Sequence, residues 1–520
     1  MIATSQSLAS AAGLRAFQAG GNAVDAAVTA AAVLAVVEPS MTGIGGDLFA
    51  VVHDPSSGRV HGLDASGRAP AAATPDVFTA RGLREMPGSG PLAVDVPGVV
   101  SGWAALLGRF GTFSLADALA PAIGYARDGF PVAELMAAEW ADAAARLAAD
   151  AAAARTFLPG GRAPVMGEIF RNPRLADSLA LVAAGGEDAF YRGPIAAAIA
   201  DDMRARDGLL AAADLAAHRA EWVETIHTTY RGVTVHEMPP STQGFVALEM
   251  LNILEGYDVA ALGHNSADLL HLVCEAKKIA FADRGAWLAD REYVPPDLLA
   301  MLVSKDYAAV RRREIDPRVA GTYRPGRPAA AVDFAGRDRG DTVYLAAADG
   351  DGRVVSFIQS LFAGFGAGIV AGDTGITLHN RGSGFVLTPG HPNCIGPGKR
   401  PLHTLVPGML LRDGAPWMAV GVMGGDNQAQ AHAQVIMNLV DFGMHVQAAG
   451  DAARVRHLGD AVAAESGIDA AVRAELTRRG HVVVDGRGQM GGYQAVAIDP
   501  ASGALLGGSD PRKDGLAIGW

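Results

Sequence analysis

Asp341-Thr342-Val343-Tyr344-Leu345-Ala346-Ala347-Ala348-Asp349-Gly350-Asp351-Gly352-Arg353-Val354-Val355-Ser356-Phe357-Ile358-Gln359-Ser360 is the stretch that decides the fold. Two apolar runs, 342–348 and 354–360, flank an Asp-Gly turn. Such a turn between apolar runs signals a hairpin, because glycine supplies the positive φ that a tight reversal needs. The chain before it, 311–340, is rich in Arg, Pro, Gly and Ala and has weak periodicity. That composition predicts a long exposed segment rather than a packed element. A threonine therefore opens a buried strand directly after exposed chain.

Toward the N-terminus the pattern is mostly helical. Asn22 caps a predicted helix running to Val37, with Asp25 in its first turn and Pro39 after its end. The turn Gly43-Ile44-Gly45-Gly46 and a strand over 48–53 follow. Helices are predicted over 115–128, 134–155, 174–184 and 194–206, a strand over 230–238, and a long helix from the cap Ser266 through Leu288. Toward the C-terminus, strands are predicted over 404–411, 416–422, 481–485, 493–498 and 503–507, and helices over 427–442 and 467–479. Helices first and packed strands later predict an α+β layered fold.

Composition excludes several functions. The chain has 520 residues, half of them hydrophobic and 19% charged, so it can bury a large core. The net charge is 43 − 55 = −12 with no long basic run, which argues against nucleic-acid binding. Two cysteines, Cys274 and Cys394, make neither a disulfide framework nor a thiolate zinc site. The apolar run 26–37 is too short to cross a membrane. The first residues lack a basic n-region and an apolar h-region, with the first cation at Arg15, so a soluble cytoplasmic protein is expected. His227 and His236 lie nine apart without a HExxH pattern, and Gly43 to Gly46 follows a helix rather than a strand. Neither a metal nor a dinucleotide is expected.

Two places could carry chemistry. A threonine hydroxyl is a weak nucleophile that needs a base. Cutting the chain before Thr342 would free an α-amine, of pKa near 8, to serve it. The competing reading is a strand-opening threonine chosen for β-propensity. Gly424 and Gly425 stand between a predicted strand and a helix, where paired N–H groups can hold an oxyanion. An ordinary strand-to-helix turn is the competing reading there.

The ordered set Gly20-Gly21-Asn22-Ala23-Val24-Asp25-Ala26-Ala27, Gly43-Ile44-Gly45-Gly46-Asp47, Asp95-Val96-Pro97-Gly98, Ala126-Arg127-Asp128-Gly129-Phe130 and Met238-Pro239-Pro240-Ser241 continues with Asp341-Thr342, Phe365-Gly366-Ala367-Gly368-Ile369, Pro397-Gly398-Lys399-Arg400-Pro401 and Gly424-Gly425. Together these resemble the γ-glutamyltransferase family of N-terminal-nucleophile hydrolases over nearly the whole chain. The resemblance implies a four-layer αββα sandwich and a proenzyme that cuts itself between Asp341 and Thr342. The products would be a large chain (1–341) and a small chain (342–520), intertwined in one unit. Thr342 would be the nucleophile, with Ser360 bonded to it and the N–H groups of Gly424 and Gly425 as oxyanion hole. No cofactor is implied.

The departures from the family pattern concern the substrate. Ser66 stands where an arginine is expected, Phe362 for an asparagine, Arg381 for a glutamine or glutamate, and Gly384 for an aspartate. His403-Thr404 replaces a serine pair. The aspartate that would neutralise a substrate ammonium is missing, and burying an unpaired ammonium is costly. Arg68 and Arg381 offer planar forks for a carboxylate instead. The connection from Arg381 to Pro397 is short, which predicts an open site and resembles the lid-less branch that includes oxamate amidohydrolase. The expected substrate is a small carboxylate-bearing amide. A bulkier acyl amide, a γ-glutamyl amide such as glutathione, and a non-catalytic scaffold of the same fold are the alternatives. A homodimer is allowed but nothing in the sequence decides it.

Overall fold

The protein is described here from a computed structural model, which covers residues 1–327, 329, 340–486, 488 and 490–520. Two mixed-origin sheets lie face to face. The seven-stranded sheet runs Leu516–Ile518, Ile2–Thr4, Gly340–Ala348, Val354–Ala363, Asp47–Asp54, Arg59–Ala65, Glu221–Val223. The six-stranded sheet runs Leu505–Ser509, Tyr493–Ile498, Ala415–Val422, Gly408–Arg412, Val233–Glu237, Ile226–Tyr230. Both sheets combine strands from before and after position 342.

The hairpin strands read as continuous apolar runs because both of their faces are covered. Tyr344, Ala346, Ala348 and Ile358 point into the layer between the sheets, against Phe49, Met409, Ala419 and Val496. Val343, Leu345, Ala347 and Phe357 point the other way, onto helices. The helix Ala23–Val37 is buried at every residue, so it carries no polar stripe. It packs between the sheet and the helices Ser7–Gln18 and Leu115–Asp128. Asn22 caps it by accepting from Val24 and Asp25 N–H, and Asp25 returns a bond to Asn22 N–H. The second sheet is covered by Gly244–Leu254, Ala267–Trp287 and Asn427–Val440. The order is thus helices, sheet, sheet, helices: an αββα sandwich.

Local departures from the sequence reading have physical causes. The strand predicted over 230–238 is one arm of a hairpin, Ile226–Tyr230 and Val233–Glu237. Its turn, Arg231-Gly232, has φ of 49° and 85° at its two residues. The helix predicted over 134–155 is two, Glu134–Ala148 and Ala151–Phe157, because Asp150 accepts from Ala153 N–H and caps a new start. The strand expected over 404–411 is Gly408–Arg412, and the helix over 467–479 is Ala470–Arg478. The segment predicted as exposed from 311 onward is exposed at most of its described positions, but it is tied down and Arg311 itself is buried. Arg311, in the last turn of the helix Lys305–Arg312, pairs with Glu314 at 2.8 Å and donates to Arg324 O at 2.7 Å. Gly321 N–H and Tyr323 OH both donate to Glu275, and Gly326 N–H to Asp283. Residues 328 and 330–339 of that segment lie outside the described residues. Among the described residues no helix is long and apolar enough to cross a membrane.

Gly421 shows how tightly the sheets meet. A Cβ there would lie 2.3 Å from Tyr344 Cε2. Gly421→Val should therefore cost about 1–3 kcal/mol through overpacking. Gly108→Ala, in a helix with nothing within 4 Å of the added methyl, should be neutral or slightly stabilising. Urea unfolding midpoints of the two variants check this; equal midpoints would contradict the sheet-to-sheet contact.

Candidate active site

Thr342 sits at the start of the central strand Gly340–Ala348, 2% exposed. Its neighbour strand, Val354–Ala363, is regular as far as Gln359 opposite Val343, and resumes with Phe362 opposite Asp341. Three residue steps on one strand thus match two on the other, so Ser360 and Leu361 form a bulge. Phe362 takes up the distortion with φ of 78°. The bulge turns Ser360 toward the Asp341–Thr342 peptide. Ser360 Oγ donates to Asp341 O at 2.7 Å and accepts from Thr342 Oγ1 at 3.2 Å and from Phe362 N–H at 2.8 Å. One donor and two acceptor positions are all that a hydroxyl has. The hydroxyl that donates to the peptide carbonyl before Thr342 therefore also accepts the threonine's hydrogen bond.

The side chain of Asp341 is buried among charges. Burial, with Glu139 adding to it, pushes its carboxyl up to about 7 against the pull of Lys513 and Arg146. Glu38 is likewise raised by burial to about 7, although Ser5 donates to it. Ser40 and Lys513 both donate to Glu139, at 2.9 and 3.4 Å.

The Gly424-Gly425 turn follows the strand Ala415–Val422, which packs across the interface onto the Thr342 strand. Its φ values, 116° and 60°, lie in the region that glycine reaches without strain. Gln243 Nε2 donates to Gly425 O at 3.2 Å and to Thr404 O at 2.9 Å, so one buried amide fixes both segments. His432 Nε2 accepts Val422 N–H at 3.2 Å, which leaves its Nδ1 to donate to Glu237 at 2.9 Å. That pair anchors the root of the turn.

Beside Ser360 lies a buried polar pocket built on Asp47, its cross-strand partner. Asp47 Oδ2 is 3.0 Å from His379 Nδ1 and accepts from Arg381 Nε at 3.2 Å, and Oδ1 accepts Gly67 N–H at 3.0 Å. Burial alone would raise the Asp47 pKa. His379 and Arg381 act against burial and hold it well below the carboxylate range. Arg381 stacks on the Phe362 ring at 4.2 Å, and both of its terminal nitrogens lack a partner among the described residues. The same holds for both ring nitrogens of His403, for Thr404 Oγ1 and for Asp95 Oδ2. Burial, then Arg381, pushes His403 well below its usual pKa, so it is neutral. A fully buried guanidinium with two open nitrogens is a site for an anionic oxygen pair.

The structure thus brings Thr342, Ser360 and Asp341 into contact and gathers Arg381, His403 and Thr404 nearby. In this uncut chain the site is closed rather than open, since Arg381 is only 1% exposed. Arg68 is placed elsewhere: it pairs with Glu221 at 3.0 Å, Glu292 at 3.4 Å and Asp290 at 3.7 Å, and donates to Gly398 O. Sequence reasoning did not assign Asp47, His379, Asp95 or Gln243 to the site. The signal for Asp47 was an acid at the mouth of an otherwise apolar strand. Among the described residues His271, Glu275 and His481 form a group that could hold a metal. His271 bonds Asp316 O and His481 at 2.8 Å each, and Glu275 is occupied by Lys278, Gly321 and Tyr323, so these donors are already satisfied.

Comparison with known proteins bears on the same elements. The sequence model of the gamma-glutamyltranspeptidase family matches residues 9–520. The chain is 39% identical to a glutathione hydrolase-like YwrD proenzyme of Bacillus subtilis, over all of this chain and 98% of that one. It is also 39% identical to an acylase ACY 1 proenzyme of a Pseudomonas species, over all of this chain and 93% of the other. A crystal structure of a cephalosporin acylase from Bacillus halodurans superposes with a TM-score of 0.94 at 42% identity, over all of this chain and 95% of that one.

Asp47 provides a test of the pocket. Removing the anion leaves Arg381 and His379 buried without it, so Asp47→Asn should cost about 3–5 kcal/mol at pH 7. The folded pKa is depressed, so this stabilisation is present above the unfolded value of about 4 and lost as pH falls below it. The gap between wild type and variant in urea unfolding should narrow from pH 7 to pH 3. An unchanged gap would contradict an ionised Asp47.

Proposed function

The chain belongs to the gamma-glutamyltranspeptidase family, and from that premise we propose a self-cleaving amidohydrolase that uses Thr342 on amides whose acyl group carries a carboxylate. In the first reaction Thr342 Oγ1 attacks the Asp341 carbonyl carbon. The C–N bond breaks, the nitrogen takes a proton, and an ester links Asp341 to the threonine oxygen. Water then hydrolyses the ester, which releases the Asp341 carboxylate and leaves Thr342 with a free amine and hydroxyl. The hydrogen bonds of Ser360 to Asp341 O and Thr342 Oγ1 support this step. Chains 1–341 and 342–520 would remain together because each supplies strands to both sheets.

In turnover the Thr342 amine accepts the hydroxyl proton as Thr342 attacks the substrate amide. Gly424 and Gly425 N–H groups would stabilise the oxyanion, the amine leaves with a proton, and water hydrolyses the acyl-enzyme. The observation that carries the substrate class is the open fork of Arg381, buried next to the bulge that holds Ser360. Asp47 is already bonded to Arg381 through Nε, and Asp95 close by is pushed by burial up to about 7. That environment favours an anionic, amine-free acyl group over γ-glutamyl.

Two measurements test this. Rates of hydrolysis on oxamate, glutaryl-p-nitroanilide and γ-glutamyl-p-nitroanilide should favour one of the amine-free acyl groups, and Arg381→Leu should lower kcat/KM on it by about 10–100-fold. A preference for the γ-glutamyl compound would sink the substrate class. Separately, Ser360→Ala should slow self-cleavage by about 100-fold or more. An unchanged cleavage half-time would remove Ser360 from the reaction.

A further inference from the structure

We propose that Asp95 is a specificity-determining acid of the Arg381 pocket, donating a proton-bearing hydrogen bond to the substrate carboxylate that Arg381 holds. The inference rests on the carboxylate reading above. Asp95 is 2% exposed and its Oδ2 has no partner among the described residues. Its Oδ1 lies 3.1 Å from the point where a Cβ on Gly382 would stand, the residue after Arg381. Its backbone carbonyl accepts from His379 Nε2 at 2.9 Å. The Asp95 carboxyl thus lies against the residue that follows Arg381, close enough to feel the guanidinium's charge, with Oδ2 left without a partner among the described residues.

Charge decides its protonation. The groups acting on Asp95 are His379, Asp47 and Arg381, from the turn around 379–382 and the head of the strand Asp47–Asp54. His403, across Asp47, is neutral. Asp47 already balances Arg381 through Nε. A bound carboxylate adds a second anion, and an ionised Asp95 would add a third in a site that water does not reach. Like charges that close force one group to keep its proton. A carboxylic acid facing a carboxylate makes a short, charge-assisted hydrogen bond. The pocket would therefore accept a carboxylate together with a proton. Burial has already raised Asp95 to about 7 in the empty pocket, so below that pH the proton is in place. Above it the Asp95 anion competes for Arg381, and the competent fraction falls about tenfold per pH unit.

The test is calorimetric titration of the processed wild type with oxalate and with glutarate, at pH 6.5 and 8.5. Each is run in two buffers of different ionisation enthalpy, which counts protons. The expected result is uptake rising from about a quarter of a proton to about one, with affinity weakened roughly twentyfold. Asp95→Asn, which keeps a neutral donor, should bind with no uptake and equal affinity at both pH values. Binding without proton uptake, or uptake that persists in Asp95→Asn, overturns the role of Asp95 and leaves the Arg381 reading standing. Binding that is unchanged in Arg381→Leu, or no binding of either acid, overturns both. The freed Thr342 amine also titrates in this range, so the uptake is assigned to Asp95 by its loss in Asp95→Asn or, should that variant fail to fold, in Asp95→Ser; uptake that persists overturns the role.

Discussion

Ser360 has one proton to give and two lone pairs to fill, and all three are committed around the peptide between Asp341 and Thr342. Much of the architecture can be read as what holds that hydroxyl in place. The bulge needs a regular ladder on either side, so the strand Val354–Ala363 is paired along its length with Asp47–Asp54 and with Gly340–Ala348. Those strands need both faces covered, so one face meets a second sheet and the other a helix with no polar stripe. The backbone distortion collects at Phe362, whose ring then becomes the platform under Arg381. One local irregularity thus couples the nucleophile to the pocket.

Electrostatics in the pocket follow from a single permanent anion. Asp47 orients Arg381 through Nε and leaves the buried terminal nitrogens without a hydrogen-bond partner among the described residues. Had the guanidinium been paired end-on by Asp47, no fork would remain for a ligand. Arg68 illustrates that alternative, with its terminal nitrogens spent on Glu221, Asp290 and Glu292. The same residue type at two positions far apart in the sequence therefore serves support in one place and, in our reading, recognition in the other.

What the sequence made legible follows physical range. The hairpin at 342–360 and the capped helix after Asn22 are local patterns, written in turn chemistry and capping residues, and both appear as read. The three-residue strands Ile2–Thr4 and Leu516–Ile518 have no period to detect and exist only through long-range pairing, the first with Gly340–Ala348 and the second with the first. Arg311 looked exposed by composition, yet distant carboxylates such as Asp283 draw it inward. The site splits the same way. Thr342 and the two glycines stand in motifs that carry their chemistry, whereas Asp47 and Asp95, though they stand in quoted motifs, show their roles, like Gln243, only through contacts with residues a long way off in the chain. No spacing rule records such contacts.

The central claim is that the peptide before Thr342 is cut by the threonine it precedes. Intact mass and N-terminal sequencing of purified wild type and Thr342→Ala address it most directly. The account predicts two wild-type chains of about 35 and 18 kDa, by length from the total of 53.4 kDa, the lighter beginning Thr-Val-Tyr, and a single uncut variant chain. A wild type that stays whole, a cut at another bond, or a variant that is cut at the same place would contradict it.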